Sequence, residues 1–153
     1  MKTLEALHMS QFASPQQQLM LTVLHTASAL QHRHRSLLKP FDVTPEQFNI
    51  LRILRGQKGN PLPLRAISIR MIDRSSNTSR LIDKLVDKGH VVRESCPRDR
   101  RKVDIALTSQ GMAFTQELSN ILDAELSQLE AVWTSADALR AATLLDAWND
   151  TQP

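Results

Sequence analysis

The sequence predicts a mainly α fold with a small β-hairpin wing, and three observations lead there. Apolar residues recur at helical spacing through most of the chain. One stretch alone, "HVVRESCPRDRRKVDIALT", switches to the two-residue alternation of paired strands around a basic turn. Basic charge is also local. The 153 residues carry a net +3, but between Arg65 and Lys102 stand 11 Lys/Arg against 5 Asp/Glu, a net of +6. Localised positive charge is the footprint of a polyanion partner such as nucleic acid.

A first helix is predicted over "SPQQQLMLTVLHTASALQHRHRSLLKP", with Leu19, Val23, Ala27, Leu30, Leu37 and Leu38 at near-helical spacing and Pro40 ending it. The second helix, "TPEQFNILRILRG", has a legible start. Thr44 is the N-cap, Pro45 takes the first helical position, and Gln47 completes a capping box with Thr44. Gly56 stops this helix, and Phe48, Leu51 and Leu54 mark its buried side. "GQKGNPLP" reads as a loop. "LRAISIRMID" is a short third helix with Ile67 and Met71 on one side, and a fourth runs from about Ser75 to Lys88, ended by Gly89.

The hairpin follows. Val103, Ile105 and Leu107 alternate, which predicts one strand face fixed to the core and the basic tip held outward. From Ser109 a long amphipathic helix passes through Phe114, Leu118, Ile121, Leu122, Leu126 and Leu129, and a last helix carries Leu139, Leu144, Leu145 and Trp148. The order of three helices and a hairpin is that of a winged helix-turn-helix over residues 42–108. Residues 14–39 and 109–150 are the expected dimerisation helices of a single 1–153 domain. They bury little against so small a core, so Leu19, Val23, Leu118, Leu122, Leu126, Leu129, Trp133, Leu145 and Trp148 are assigned to an intersubunit core.

On a wheel of 100° per residue the fourth helix gathers Thr78, Leu81, Ile82, Leu85 and Val86 on one side. Opposite them lie Ser76, Ser79, Arg80, Asp83, Lys84 and Asp87, with Asn77 at the border. The N-terminal half of that face has no acidic residue, and small hydroxyls, an amide and an arginine suit base edges in the major groove. The expected base-reading set is Ser75, Ser76, Asn77, Ser79, Arg80 and Lys84. In the wing, Arg98, Arg100, Arg101 and Lys102 crowd one turn with only Asp99 to offset them, and a phosphate backbone would relieve their repulsion.

Other chemistry is sparse. The chain has no Gly-rich phosphate loop, His-Glu metal motif or nucleophile elbow, so no enzyme and no cofactor is expected. His32 and His34 point about 200° apart on a helix, and His25 and His32 sit roughly 10 Å apart, so neither pair alone chelates an ion and no metal site is assigned. The single cysteine, Cys96, excludes an internal disulfide, and nearby arginines would lower its thiol pKa, which keeps redox sensing open. No apolar run reaches membrane-spanning length and no signal-peptide core stands at the N-terminus, so a soluble cytoplasmic protein is expected. A protein-interaction module on the same fold is the alternative from another class.

The run "DKLVDKGHVVRESCPRDRRKVDIALTSQG" resembles the multiple-antibiotic-resistance regulator (MarR) family. The shared features are Arg80 on the recognition helix, Leu85 with Lys88-Gly89, Arg93, Asp99-Arg100-Arg101, and Leu107-Thr108 followed by Gly111. The likeness spans about Thr44 to Gly111. It implies a homodimer with interlocked terminal helices on a pseudo-palindromic operator in double-stranded DNA. By the matching positions, Arg101 enters the minor groove and Asp99 helps to hold the tip. The family usually represses transcription and often releases DNA on binding a small, frequently phenolic, ligand. Some members sense oxidants through a cysteine in the N-terminal helix, where this sequence has none; others sense metals.

Overall fold

A computed structural model describes residues 5–6, 11–96 and 99–150, with the backbone alone described at residues 96, 99–102 and 129. The elements run α1 (Pro15–Leu38), a 3-10 turn (Lys39–Phe41), α2 (Pro45–Arg55), β1 (Leu62–Pro63), α3 (Leu64–Ser68), α4 (Thr78–Asp87), β2 (Val91–Cys96), β3 (Asp99–Leu107), α5 (Ser109–Glu130) and α6 (Ser135–Asn149). The chain divides into two compact units, residues 1–115 and 116–153. Among the described residues no helix is long and apolar enough to cross a membrane.

The helix ends follow local chemistry. Ser14 caps α1 by accepting the Gln17 N–H, with Pro15 in the first turn. Pro40 lies in the 3-10 turn that terminates it, and Asp42 then adopts a left-handed backbone at φ 54°. The capping box of α2 is formed on both sides: Gln47 N–H donates to Thr44 Oγ1 at 3.2 Å and Thr44 N–H donates to Gln47 Oε1 at 3.0 Å. α2 is the central core helix. Phe48, Ile50, Leu51 and Leu54 are buried along it, and Leu38, Val43, Ile67, Met71, Ile82, Leu85, Val91, Ile105 and Ala106 are buried with them in the first unit.

Four expectations need correction. α3 ends at Ser68, so Ile69 and Ile72 of the predicted third helix face solvent. α4 begins at Thr78 rather than Ser75. Asp73 accepts both the N–H (2.9 Å) and the hydroxyl (2.6 Å) of Ser75, and this turn competes with helical hydrogen bonding until Asn77 caps the helix. The "GQKGNPLP" loop contains strand β1, which pairs antiparallel with β3 through Leu62–Ile105 and Pro63–Asp104, so the sheet order is β1-β3-β2. Its proline is tolerated because β1 is an edge strand. Finally, Val103 is 49% exposed although Ile105 is buried and Leu107 half-buried. As the central strand, β3 is covered on both faces only near the core, where Ala106 is buried too, and it outruns the core at Val103.

A small knot joins α4, β2 and α5. Gly89, at φ 74°, ends α4 in the left-handed conformation that glycine adopts without strain. Thr108 Oγ1 donates to Gly89 O at 2.7 Å and accepts the Gly111 N–H at 2.9 Å, and so also caps α5. His90 stacks on Phe114 at 4.1 Å with rings 3° from parallel, and Phe41 meets Phe114 edge-on at 6.3 Å. The His90 Nδ1 is buried with no hydrogen-bond partner among the described residues.

Burial, and secondarily Lys88, holds the His90 imidazole below its ordinary 6.5. The folded chain therefore takes this proton at lower pH than the unfolded chain. Below about pH 6.5 the unfolded state binds more protons, and stability falls as pH falls. The urea midpoint should drop between pH 7.5 and pH 5, and His90→Phe, which keeps the stack, should flatten that drop. An unchanged midpoint would refute the assignment.

Candidate nucleic-acid interface

α4 is held on three sides. Its buried face seats Thr78, Ile82 and Leu85 in the core, with Leu81 and Val86 half-buried beside them. Its N-terminus is set by Asn77, whose Oδ1 accepts the Arg80 N–H at 3.2 Å. The turn before it is tied to α2 by Asn49, a buried side chain whose Oδ1 accepts the Ile72 N–H at 2.9 Å. Its C-terminal end is tied by Lys88 to Asp42, through the carboxylate at 2.7 Å and the backbone carbonyl.

The predicted base-reading residues separate into two groups. Ser79, Arg80 and Lys84 are exposed on one face of α4, as the wheel requires. Ser75, Ser76 and Asn77 lie before the helix and do structural work. The Ser75 hydroxyl is committed to Asp73, whose carboxyl these bonds hold below the usual carboxylate range. The Ser76 carbonyl accepts the Thr78 N–H at 2.8 Å, and Asn77 is the cap. Removing that cap by Asn77→Ala should cost about 1 kcal/mol of stability. Equal urea midpoints for the two proteins would show that the turn holds itself.

Asp83 lies on the exposed face and would repel a phosphate backbone if left bare. It is not bare: Arg93 from β2 donates to its Oδ1 at 2.5 Å. This pair cancels the acidic charge and links the wing's first strand to the recognition helix. Arg93 was not among the residues assigned to the site, although the resemblance includes it. Its role depends on a helix and a strand being packed side by side.

In the wing, Arg98 lies outside the described residues. Asp99, Arg100, Arg101 and Lys102 belong to the backbone of β3 rather than to a turn. The pairing shifts there: Ser95 faces Val103 while Cys96 faces Asp99, so the β3 side of this step takes in residues 100–102. Such an irregularity bends and twists a strand.

Of the residues assigned to an intersubunit core, Leu118 is completely buried within the chain, so it belongs to the internal core instead. Leu19, Leu126, Trp133 and Trp148 are exposed, and Val23, Leu122 and Leu145 are half-buried. Leu129 has no described side chain.

A core-mounted helix with a capped N-terminus, an exposed Ser-Arg face and a strand-borne wing defines a winged helix-turn-helix transcriptional regulator. Residues 43–103 match the MarR family. The transcriptional repressor MprA of Escherichia coli K12 is 26% identical over 123 residues, covering 79% of this chain and 68% of that protein. The multiple antibiotic resistance protein MarR of the same organism is 32% identical over 91 residues, 60% of this chain and 62% of its own length. A MarR-like transcription regulator from Bacillus cereus superposes with a TM-score of 0.75 at 19% identity, covering 90% of this chain and 98% of that one. Residues 43–103 thus resemble the MarR family, and the chain shares the fold of MarR-like regulators.

Proposed function

We propose that this regulator acts as a homodimeric repressor that binds a pseudo-palindromic operator in double-stranded DNA and leaves it when a small aromatic ligand binds. The observation that carries the DNA reading is the face of α4: Ser79, Arg80 and Lys84 are exposed, and Asp83, the carboxylate between Arg80 and Lys84 in sequence, is paired with Arg93. Arginine there can donate a bidentate pair to guanine. The exposed apolar residues of α1, α5 and α6 support the dimer, since Leu19, Leu24, Leu126, Trp133, Leu139 and Leu144 would otherwise remain in water. The release by a ligand is carried by the family alone. A regulator of this kind works in the cytoplasm, where its operator is.

The direct test is binding to the chain's own upstream intergenic DNA against a scrambled duplex across a salt series. Selective binding with a steep salt slope is expected, because phosphate contacts release counterions. Equal binding to both duplexes would favour an unregulated architectural binder, and no binding at low salt would favour a protein-interaction module. In the wing, Arg101→Ala should lower affinity on every sequence by a similar factor and reduce the salt slope by about 1. A change of sequence preference instead would place Arg101 among the base readers.

A further inference from the structure

Among the described residues of the first unit, Ile72 and Ile69 are the most exposed large apolar side chains, at 80% and 62%. Leu64, the first residue of α3, is exposed too. None of the three stands on α1, α5 or α6, the helices whose exposed apolar residues support the dimer.

The exposure is built into the fold. Ile67 and Met71 alternate with the exposed residues along the segment, and both are buried in the core. The backbone between them is held by its own turn: Ile69 N–H donates to Arg65 O at 3.2 Å, Arg70 N–H to Ile67 O at 3.0 Å, and Met71 N–H to Ser68 O at 3.3 Å. Ile72 N–H donates instead to Oδ1 of the buried Asn49, which pins the end of the segment to α2. The isoleucines are therefore presented on a fixed backbone, and binding through them carries little ordering cost. An apolar patch left in water in this way marks an interaction surface.

The charge around the ridge has one sign. From Gln47 to Ile72 the chain has five cations, Arg52, Arg55, Lys58, Arg65 and Arg70, and no carboxylate. Arg65, Arg70 and Arg74 are exposed along the ridge and just after it, and none has an ion-pair partner among the described residues. The adjoining carboxylate, Asp73, is engaged by the N–H and hydroxyl of Ser75.

We infer that the ridge from Leu64 to Ile72 docks an acidic segment of another protein, its apolar side chains covering Ile69 and Ile72 and its carboxylates meeting Arg65, Arg70 and Arg74. Charge complementarity selects an acidic occupant, and the isoleucines select protein over DNA. Phosphates are held by hydrogen-bond donors, and an isoleucine side chain has none to give. An apolar centre rimmed by arginines is the make-up of a protein interface. Carboxylates give each guanidinium a bidentate partner and leave the side chains between them free to be apolar. The ridge shares no residue with Ser79, Arg80 and Lys84, so the partner and the operator do not compete for the same side chains.

The full chain, free of DNA, can be used to select binders from a phage-displayed library of random short peptides. Selected peptides should interleave Asp or Glu with Leu, Ile or Phe. The strongest, synthesised with a fluorophore, should bind the wild type saturably and more weakly as salt rises. Ile69→Ser/Ile72→Ser should bind it about tenfold more weakly. Arg65→Gln/Arg70→Gln should weaken it by a similar factor and flatten the salt dependence. All four side chains are exposed, so the thermal midpoints should stay within a few degrees of the wild type. No selected peptide, selected peptides without acidic residues, or undiminished binding by either double variant would overturn the assignment. An isoleucine variant that loses operator affinity but keeps the peptide would give the ridge to DNA. One that sediments as a smaller assembly than the wild type would make the ridge a contact between copies of this chain. Peptide binding is read without DNA, so a failure of the operator reading leaves it standing.

Discussion

Arg80→Ala is expected to lower operator affinity by roughly ten- to a hundredfold and to level the preference at one base pair in each half-site. The magnitude follows from a bidentate arginine–guanine pair, which discriminates by about 1–3 kcal/mol. The position supports it. Arg80 is the third residue of α4, its backbone is fixed by the Asn77 cap, and its side chain is exposed at the N-terminal end that enters the groove. The Asp83–Arg93 pair keeps a competing carboxylate from capturing it. Fluorescence anisotropy on the operator and on a set of single-base variants measures both effects. A uniform loss on every sequence would make Arg80 a phosphate contact and leave base reading to Ser79 and Lys84. Because the side chain is exposed, the melting curve should be unchanged, which separates lost recognition from lost fold.

What the sequence made legible was local. The Thr44–Gln47 capping box spans four residues and needs no tertiary context, so its prediction survives to the atom. The buried side of α4 is equally legible, because periodicity alone decides it: Thr78, Ile82 and Leu85 are inside. The start of α4 was misplaced because Ser75, Ser76 and Asn77 are all capping residues by type. Only the competing acceptor, Asp73, decides among them, and it acts two residues away outside the helix pattern. Strand β1 is two residues long and half proline, so it has no strand signature, and pairing with β3 alone makes it one.

The site was legible as a composition but not as a geometry. Clustered cations and a carboxylate-free helix start could be counted along the chain. The neutralisation of Asp83 by Arg93 needed β2 laid beside α4. The tie between Lys88 and Asp42 joins residues 46 apart in sequence. No spacing rule reaches across such distances.

Gly111→Ala should be the most damaging small substitution in the first unit. Within a helix this change ordinarily stabilises by about 1 kcal/mol, since alanine is the better helix former. Here the added Cβ would stand 1.8 Å from the His90 carbonyl oxygen and 2.7 Å from its carbon, an overlap with backbone that no rotamer relieves. The carbonyl cannot swing aside cheaply, because it accepts the Thr108 N–H at 3.1 Å and faces the Thr108 hydroxyl at 3.3 Å. The same hydroxyl holds Gly89 and caps α5, so displacement would open the whole knot. A loss of about 3 kcal/mol, at the upper end for overpacking, is expected, with the thermal midpoint falling by roughly 10 °C. Gly56→Ala is the matched control: its Cβ would come no closer than 3.5 Å, to the Ile53 carbonyl oxygen, which is ordinary van der Waals contact, at an ordinary helical φ of −61°. It should leave the midpoint within a few degrees, as a tolerated surface substitution does. Equal melting of the Gly111 variant and the wild type would mean that α5 can slide off β2 without cost, and that Gly111 is not what lets the two meet.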